Sequence, residues 1–388
     1  MFRLTARRTT HDSGVALRKT AGQGIPAGFF VTLRDKGCAL GCALVFIGAE
    51  GRIALPVPPS YFRMFPPVPS PSGDIFYAFL SILLEGAPFI LLGALISGVI
   101  DAWLPSGAMD KLLPKRAFPA ILASGLLGII FPVCECAIVP VIRRLVQKGL
   151  PLGCAMTYML AAPIVNPIVA LSTWTAFKGR DPLLMMVTRT SMGYVIAVLA
   201  GLVIARFAAS HVLKASVLDR ISKPTPAGGG SLTAGPTDHG RKFVQAMRTA
   251  QRDFLDVALY FVIGVAIASI LKTQVFYRPS LQDGMELVAG NHWIAAPVLM
   301  VMAFVLSLCS TTDAFIIAAD NLFPPVAKLA FLVFGPMFDL KLMFLYSTVL
   351  KPRAVALLGV FLFIAVYAAG FGMEVLWPWL QSLPLFKS

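Results

Sequence analysis

Cys134-Glu135-Cys136 sets two thiols around a carboxylate at the end of a long apolar run, between Pro132 and Pro140 and just ahead of Arg143, Arg144 and Lys148. Thiolates are soft ligands, suited to Zn(II), Cd(II), Cu(I) or a trivalent arsenical. On a regular helix, side chains two residues apart point away from one another, so joint use of Cys134 and Cys136 requires irregular backbone. The prolines on either side favour it. A second constellation, Cys309-Ser310-Thr311-Thr312-Asp313, closes another apolar run. Cys309 supplies a third thiol wherever the two stretches meet. As(III) carrying one methyl group needs two thiols and inorganic As(III) takes three, so Cys134, Cys136 and Cys309 suit either as metal or metalloid ligands. With thiols and no evident fourth ligand, labile coordination is expected instead of a closed four-ligand structural metal site. Cys154, by contrast, reads as a small buried apolar residue.

These thiols need elements to hold them, and composition names the kind. The chain has 388 residues, 57% hydrophobic and 13% charged, with a mean hydropathy of +0.79. Soluble domains carry roughly 25% charged residues, so an all-α, multi-spanning membrane protein follows. The formal net charge of +14 reflects Lys and Arg clustered between apolar segments, as membrane loops carry them. It calls for lipid as the partner and for no nucleic acid.

Residues 1–72 form a basic, Pro-rich leader, expected to be disordered; translation from Met64 is an alternative start. Its run from Cys38 to Gly48, with Cys38 and Cys42 four apart, is too short to span, since a crossing takes ~20 residues. A first membrane repeat follows at 73–208, a flexible, basic, cytoplasmic linker at 209–242, and a second repeat at 243–388. Each half holds four apolar segments, giving about eight transmembrane helices. The halves correspond in order: Cys134 with Cys309, Pro151 with Pro324, Pro163 with Pro336, Asn166 with Asp339. Ala162-Pro163-Ile164-Val165-Asn166-Pro167 and Phe334-Gly335-Pro336-Met337-Phe338-Asp339 are expected to break their helices near the midplane and expose polar groups there. A duplicated chain with an interrupted segment in each half is the signature of a transporter with its site at the repeat interface. Four full crossings per half give parallel repeats; if the Cys134 and Cys309 segments dip in and return, the repeats are inverted.

Carboxylates at membrane depth mark proton or cation paths. Glu135, Asp313 and Asp339 are the candidates, with Glu85 in Glu85-Gly86-Ala87-Pro88-Phe89 beside a helix proline, and with Thr312 and Asn166 as polar neighbours. Asp339 is either such a carrier or one half of a structural pair neutralised by Lys341. Arg189, near the start of its span, is read as snorkelling to the interface.

Taken as a set, Glu85-Gly86-Ala87-Pro88-Phe89, Pro132-Val133-Cys134-Glu135-Cys136, Ala162-Pro163-Ile164-Val165-Asn166-Pro167 and Cys309-Ser310-Thr311-Thr312-Asp313-Ala314-Phe315 resemble the bacterial predicted-permease family that includes ArsP-type organoarsenical exporters. The resemblance covers about residues 74–380. It implies an eight-helix permease of the inner membrane that moves a small molecule, metal or metalloid, with assembly into homo-oligomers left open. No Walker-type phosphate loop is present and no cofactor is called for. A membrane thiol oxidoreductase would want Cys-x-x-Cys and a quinone site, neither of which is evident. A non-transporting scaffold leaves the buried acids without a use.

Overall fold

The computed structural model describes residues 30–32, 44–46, 71–105, 114, 116–131, 133–215, 239–276, 288 and 290–382. The rest of the leader with Cys38 and Cys42, Pro132, and linker residues 216–238 lie outside the described residues. The chain divides into two units, Met1–Pro69 and Ser70–Ser388. In the first, β1 (Phe30–Thr32) pairs antiparallel with β2 (Leu44–Phe46).

The second unit is helical. Its first half contains α1 (Pro71–Trp103), α2 (Ala117–Ile130), α3 (Ile138–Gln147), α4 (Leu152–Val165), α5 (Pro167–Ala176) and α6 (Pro182–Ile204), followed by the single turn α7 (Ala209–Val212). The second half contains α8 (His239–Phe276), α9 (His292–Leu306), α10 (Thr312–Ala319), α11 (Pro325–Met337), α12 (Leu340–Tyr346) and α13 (Pro352–Ser382). Each half thus runs long helix, interrupted segment, interrupted segment, long helix. This is the order that the sequence correspondence implies. α8 starts well before its apolar stretch and carries Arg241, Lys242, Arg248 and Arg252 on its first turns.

The sequence also explains the breaks. Pro167 is the first residue of α5, where a missing N–H costs nothing. Asn166 accepts a hydrogen bond from Ile168 N at 2.9 Å and so caps α5. Its counterpart Asp339 caps α12, accepting from Leu342 N at 2.7 Å. Short polar side chains at an N-cap satisfy amides that lipid cannot.

Packing partners give each segment its direction. α2 runs parallel to α4: Ile121 lies against Gly153, Gly125 against Thr157, and Gly128 against Ala162. The turn at 148–151 then joins the end of α3 directly to the start of α4, so α3 must return to the side from which α2 came. α2 and α3 therefore form a re-entrant hairpin with Cys134-Glu135-Cys136 near its tip. In the second half, α9 lies parallel to α11, with Ala303 against Gly335 and the rings of Phe304 and Phe338 stacked at 5.8 Å. α10 returns to the start of α11 through 320–324, giving a second hairpin with Ser307–Ser310 at its tip.

The two hairpins come from opposite faces. Arg180, just past α5, donates to Ala318 O and Asp320 O at the end of α10, both at 3.1 Å. At the other face, Leu213 after α6 bridges Leu350 after α12. α4–α5 and α11–α12 are therefore antiparallel, and the two halves are related by inversion. Among the described residues, six helical segments are long and apolar enough to cross, and α2 and α9 are shorter apolar helices. All eight apolar segments are present. Among the described residues, the six long segments have the length and composition to cross and the two Cys-bearing ones double back, which is the inverted arrangement the sequence left open.

Small residues hold the hairpins close. Gly93 of α1 lies against the carbonyl of Ala137, and Gly98 against that of Ala246 on α8. With lipid as apolar as the helices themselves, such backbone approach is a main source of association.

Candidate functional site

The hairpin tips meet each other. Ser310 Oγ donates to Glu135 Oε2 at 3.0 Å. In the alignment that pairs Cys134 with Cys309, Ser310 is the counterpart of Glu135. A residue touching its own repeat counterpart marks the pseudo-two-fold axis, where inverted-repeat transporters place their sites.

Lys341, on the first turn of α12, completes this centre. Its Nζ donates to Leu308 O at 2.9 Å, Ser307 O at 3.1 Å and Glu135 Oε1 at 3.3 Å, and lies 3.4 Å from Asp339 Oδ2. Glu135 is 1% exposed, Lys341 2% and Asp339 0%. Ser307 adopts a left-handed backbone, φ 47° and ψ 48°, which L-residues enter at a cost. That turn directs consecutive carbonyls at the ammonium. Lys341 is thus more than a counter-ion for Asp339: it joins one half's hairpin tip to the other's.

A second buried pair crosses between the halves. Arg189 of α6 donates through Nη2 to Asp313 Oδ2 at 2.9 Å, to Asp313 Oδ1 at 3.1 Å and to Ser310 O at 3.0 Å, and through Nη1 to Thr173 Oγ1 at 2.7 Å. Arg189 is 1% exposed. The expectation that it snorkels to the interface is therefore corrected: burial with an aspartate and a carbonyl satisfies the guanidinium where it stands.

Glu85, Cys134, Glu135, Cys136, Cys309 and Lys341 line one cavity between the hairpin tips, α1 and α8. Thr312 Oγ1 donates to Glu85 Oε1 at 3.0 Å, tying α1 to the second hairpin. Thr311 Oγ1 contacts Cys309 Sγ at 3.7 Å. The cavity volume is about 20 Å³, room for about one water. All three thiols proposed from the sequence therefore share one space. Among the described residues, however, no three His, Cys, Asp or Glu side chains stand close enough together to hold a metal ion. Any soft cargo must be taken up by a rearrangement of the tips.

Other residues fall elsewhere. Asn166 is buried as the cap of α5 and does not line the cavity. Asp313 stands behind the second tip, held by Arg189. Cys154 is buried inside α4, away from the cavity. Sequence reasoning passed over Ser307, Ser310 and the central place of Lys341. A lysine two residues after a membrane-depth aspartate was the available signal for the last.

A separate ionic cluster fixes the base of the first hairpin. Arg144 donates to both carboxylate oxygens of Asp253 at 2.8 Å, and Ser97 Oγ donates to Asp253 Oδ2 at 2.6 Å. Arg143 pairs with Asp256 at 3.0 Å, and Lys148 Nζ donates to Asp101 O at 2.9 Å. The basic run after the Cys-Glu-Cys motif thus anchors α3 to α1 and α8. At the opposite face Arg180, Asn321, Asp320 and Lys328 hold the base of the second hairpin, Lys328 lying 3.4 Å from Asp320.

The chain matches the family model described as predicted permease, of ArsP type, over residues 73–375. It is 35% identical over 291 residues to the UPF0718 protein YcgR of Bacillus subtilis (strain 168), covering 75% of this chain and 93% of that protein. It is also 32% identical over 294 residues to a Streptococcus mutans protein whose name makes it a two-component membrane permease complex subunit, covering 75% of this chain and 91% of the relative. No solved structure shows a significant match.

Proposed function

The chain belongs to the ArsP-type predicted-permease family, and on that premise we propose that this multi-pass bacterial membrane protein is a secondary exporter of a thiol-reactive metal ion, metalloid or organoarsenical, working in the inner membrane. The observation that carries the reading is the shared cavity of Cys134, Cys136 and Cys309 between two re-entrant tips. Soft thiols facing one small space are poorly suited to oxygen-liganded cargo and well suited to cargo that exchanges thiols. The tips come from opposite faces, so opening one hairpin at a time would expose the thiols first to one side and then to the other. Buried carboxylates beside the thiols, Glu135 above all, would carry the coupling charge. By analogy with the Streptococcus relative, the working unit holds a second subunit.

Everted vesicles test the cargo. Vesicles containing the protein should accumulate monomethyl-As(III), As(III) or Cd(II) above protein-free controls, and Cys134→Ser with Cys136→Ser should abolish this at unchanged protein level. Normal transport by the serine variants would remove thiol ligation from the mechanism. No accumulation of any soft cargo would overturn the export reading itself. The native mass of the permease extracted in mild detergent tests its assembly, a bare monomer refuting the second subunit.

A further inference from the structure

Lys341 sits in a space with more oxygens than it can serve. A lysine ammonium has three N–H donors, and Leu308 O, Ser307 O and Glu135 Oε1 take all three. Asp339 Oδ2, 3.4 Å from the same nitrogen, is fully buried and has no hydrogen-bond partner among the described residues. That oxygen has the ion pair with Lys341 but no hydrogen bond, and a buried carboxylate oxygen without one is costly. A spherical cation has no fixed number of donors, and hard cations gather carboxylate and carbonyl oxygens in this manner. The carbonyls also have the right origin: Ser307 and Leu308 follow α9, where a helix end carries partial negative charge.

We propose that this oxygen cage is a coupling-cation site, filled in the present state by the Lys341 ammonium and taken by a free alkali cation when Lys341 leaves. Charge selects the class of ligand. Without the ammonium, the carboxylates of Glu135 and Asp339 face one water-excluding space, and a monovalent cation restores the charge that Lys341 supplied. The oxygens are hard donors, whereas the neighbouring thiols are soft, so the cage and the cargo site take different ions from one centre. Glu135 belongs to the first tip, the two carbonyls to the second, and Asp339 with Lys341 to the α11–α12 break. The cage is whole only while these three elements keep their present arrangement, so a cation bound there would be released as the hairpins move. This inference stands on the cage and not on the identity of the cargo.

Thermal unfolding of the purified full-length protein tests it, in NaCl or KCl against choline chloride at equal ionic strength. Wild type should show no alkali-specific shift, because the ammonium holds the site. Lys341→Gln should be stabilised by Na⁺ or K⁺ in a saturable manner, by on the order of 3 °C or more. Should that variant fail to fold, Lys341→Gln with Asp339→Asn keeps the cluster's net charge and retains Glu135 and both carbonyls; it should show a smaller alkali-specific rise. Absence of any alkali effect in whichever variant folds overturns the proposal. An equal alkali effect in wild type also overturns it, by placing the site elsewhere. Cys134→Ser with Cys136→Ser leaves the cage intact, so failure of thiol-dependent export would leave these results unchanged.

Discussion

Cutting the Arg189–Asp313 pair from one side and then from both measures what joins the halves. Arg189→Met removes the donors to Asp313, Ser310 O and Thr173 Oγ1 and leaves Asp313, 3% exposed, without its cation. Loss of one partner from a buried pair costs ~3–5 kcal/mol. Asp313→Leu strands the guanidinium and belongs in the same range. The double variant Arg189→Met/Asp313→Leu removes both charges. Thr173 Oγ1 still donates to Val169 O at 2.8 Å, so only Ser310 O loses a donor, at about 1 kcal/mol. The double variant should therefore recover most of the loss. Each single variant should lower the unfolding midpoint in detergent by on the order of 10 °C, at ~2–4 °C per kcal/mol, and the double by a few degrees. The reasoning fails if Arg189→Met costs under about 1 kcal/mol, or if the double variant is as unstable as either single one.

Three further perturbations address the architecture. Asn166→Ala should lower stability by about 1 kcal/mol through loss of the α5 cap, whereas the neutral cap Asn166→Ser should keep most of it; equal losses in calorimetry would contradict the capping role. Gly93→Val should cost ~1–3 kcal/mol and depress transport, because its side chain would meet the backbone of Ala137 at the start of the first hairpin's return; unchanged melting and uptake would show that the tip does not rest on α1. In a cysteine-free background, Arg206→Cys and Lys178→Cys should react with an impermeant maleimide from opposite faces of oriented vesicles, since α6 lies between them; labelling from one face would refute the crossing of α6.

The path from sequence to fold was clearest where lipid leaves few choices. Long apolar runs, the break at Pro163-Ile164-Val165-Asn166-Pro167 and its counterpart at Asp339 were legible because an unpaired backbone group in lipid must find a partner nearby. The direction of the Cys-bearing segments was not legible in the same way. An apolar stretch of given length either crosses or doubles back, and the choice rests on contacts such as Gly128 with Ala162 and Arg180 with Ala318 O, which are far apart in sequence. Arg189 was misread for a related reason: near a segment's start, a lone arginine looks interfacial until Asp313, 124 residues away, is brought beside it. The basic run Arg143, Arg144 and Lys148 likewise looked like loop charge, although its partners Asp101, Asp253 and Asp256 come from α1 and α8.

The repeat also explains why the centre has a polarity. Asn166 and Asp339 do the same backbone work, each capping the half-helix that follows a break. Capping alone would let both be Asn, since either residue serves that position well. Only the second copy is ionisable, and only there does a lysine follow, placing Lys341 within reach of Asp339 and of Glu135 from the other half. At the tips the asymmetry is reversed: the first copy carries Glu135 and the second, at the equivalent place, the neutral Ser310. The duplicated fold thus supplies two hairpins that open from opposite faces, while divergence at two matched positions gathers the charge at one centre. If that divergence were incidental, exchanging the tip residues as Glu135→Ser/Ser310→Glu would leave uptake intact. Lys341 donates to both tips, and its only contact with the first is the Glu135 carboxylate at 3.3 Å among the described residues; the exchange should therefore keep the protein folded while lowering transport at least tenfold in the vesicle assay.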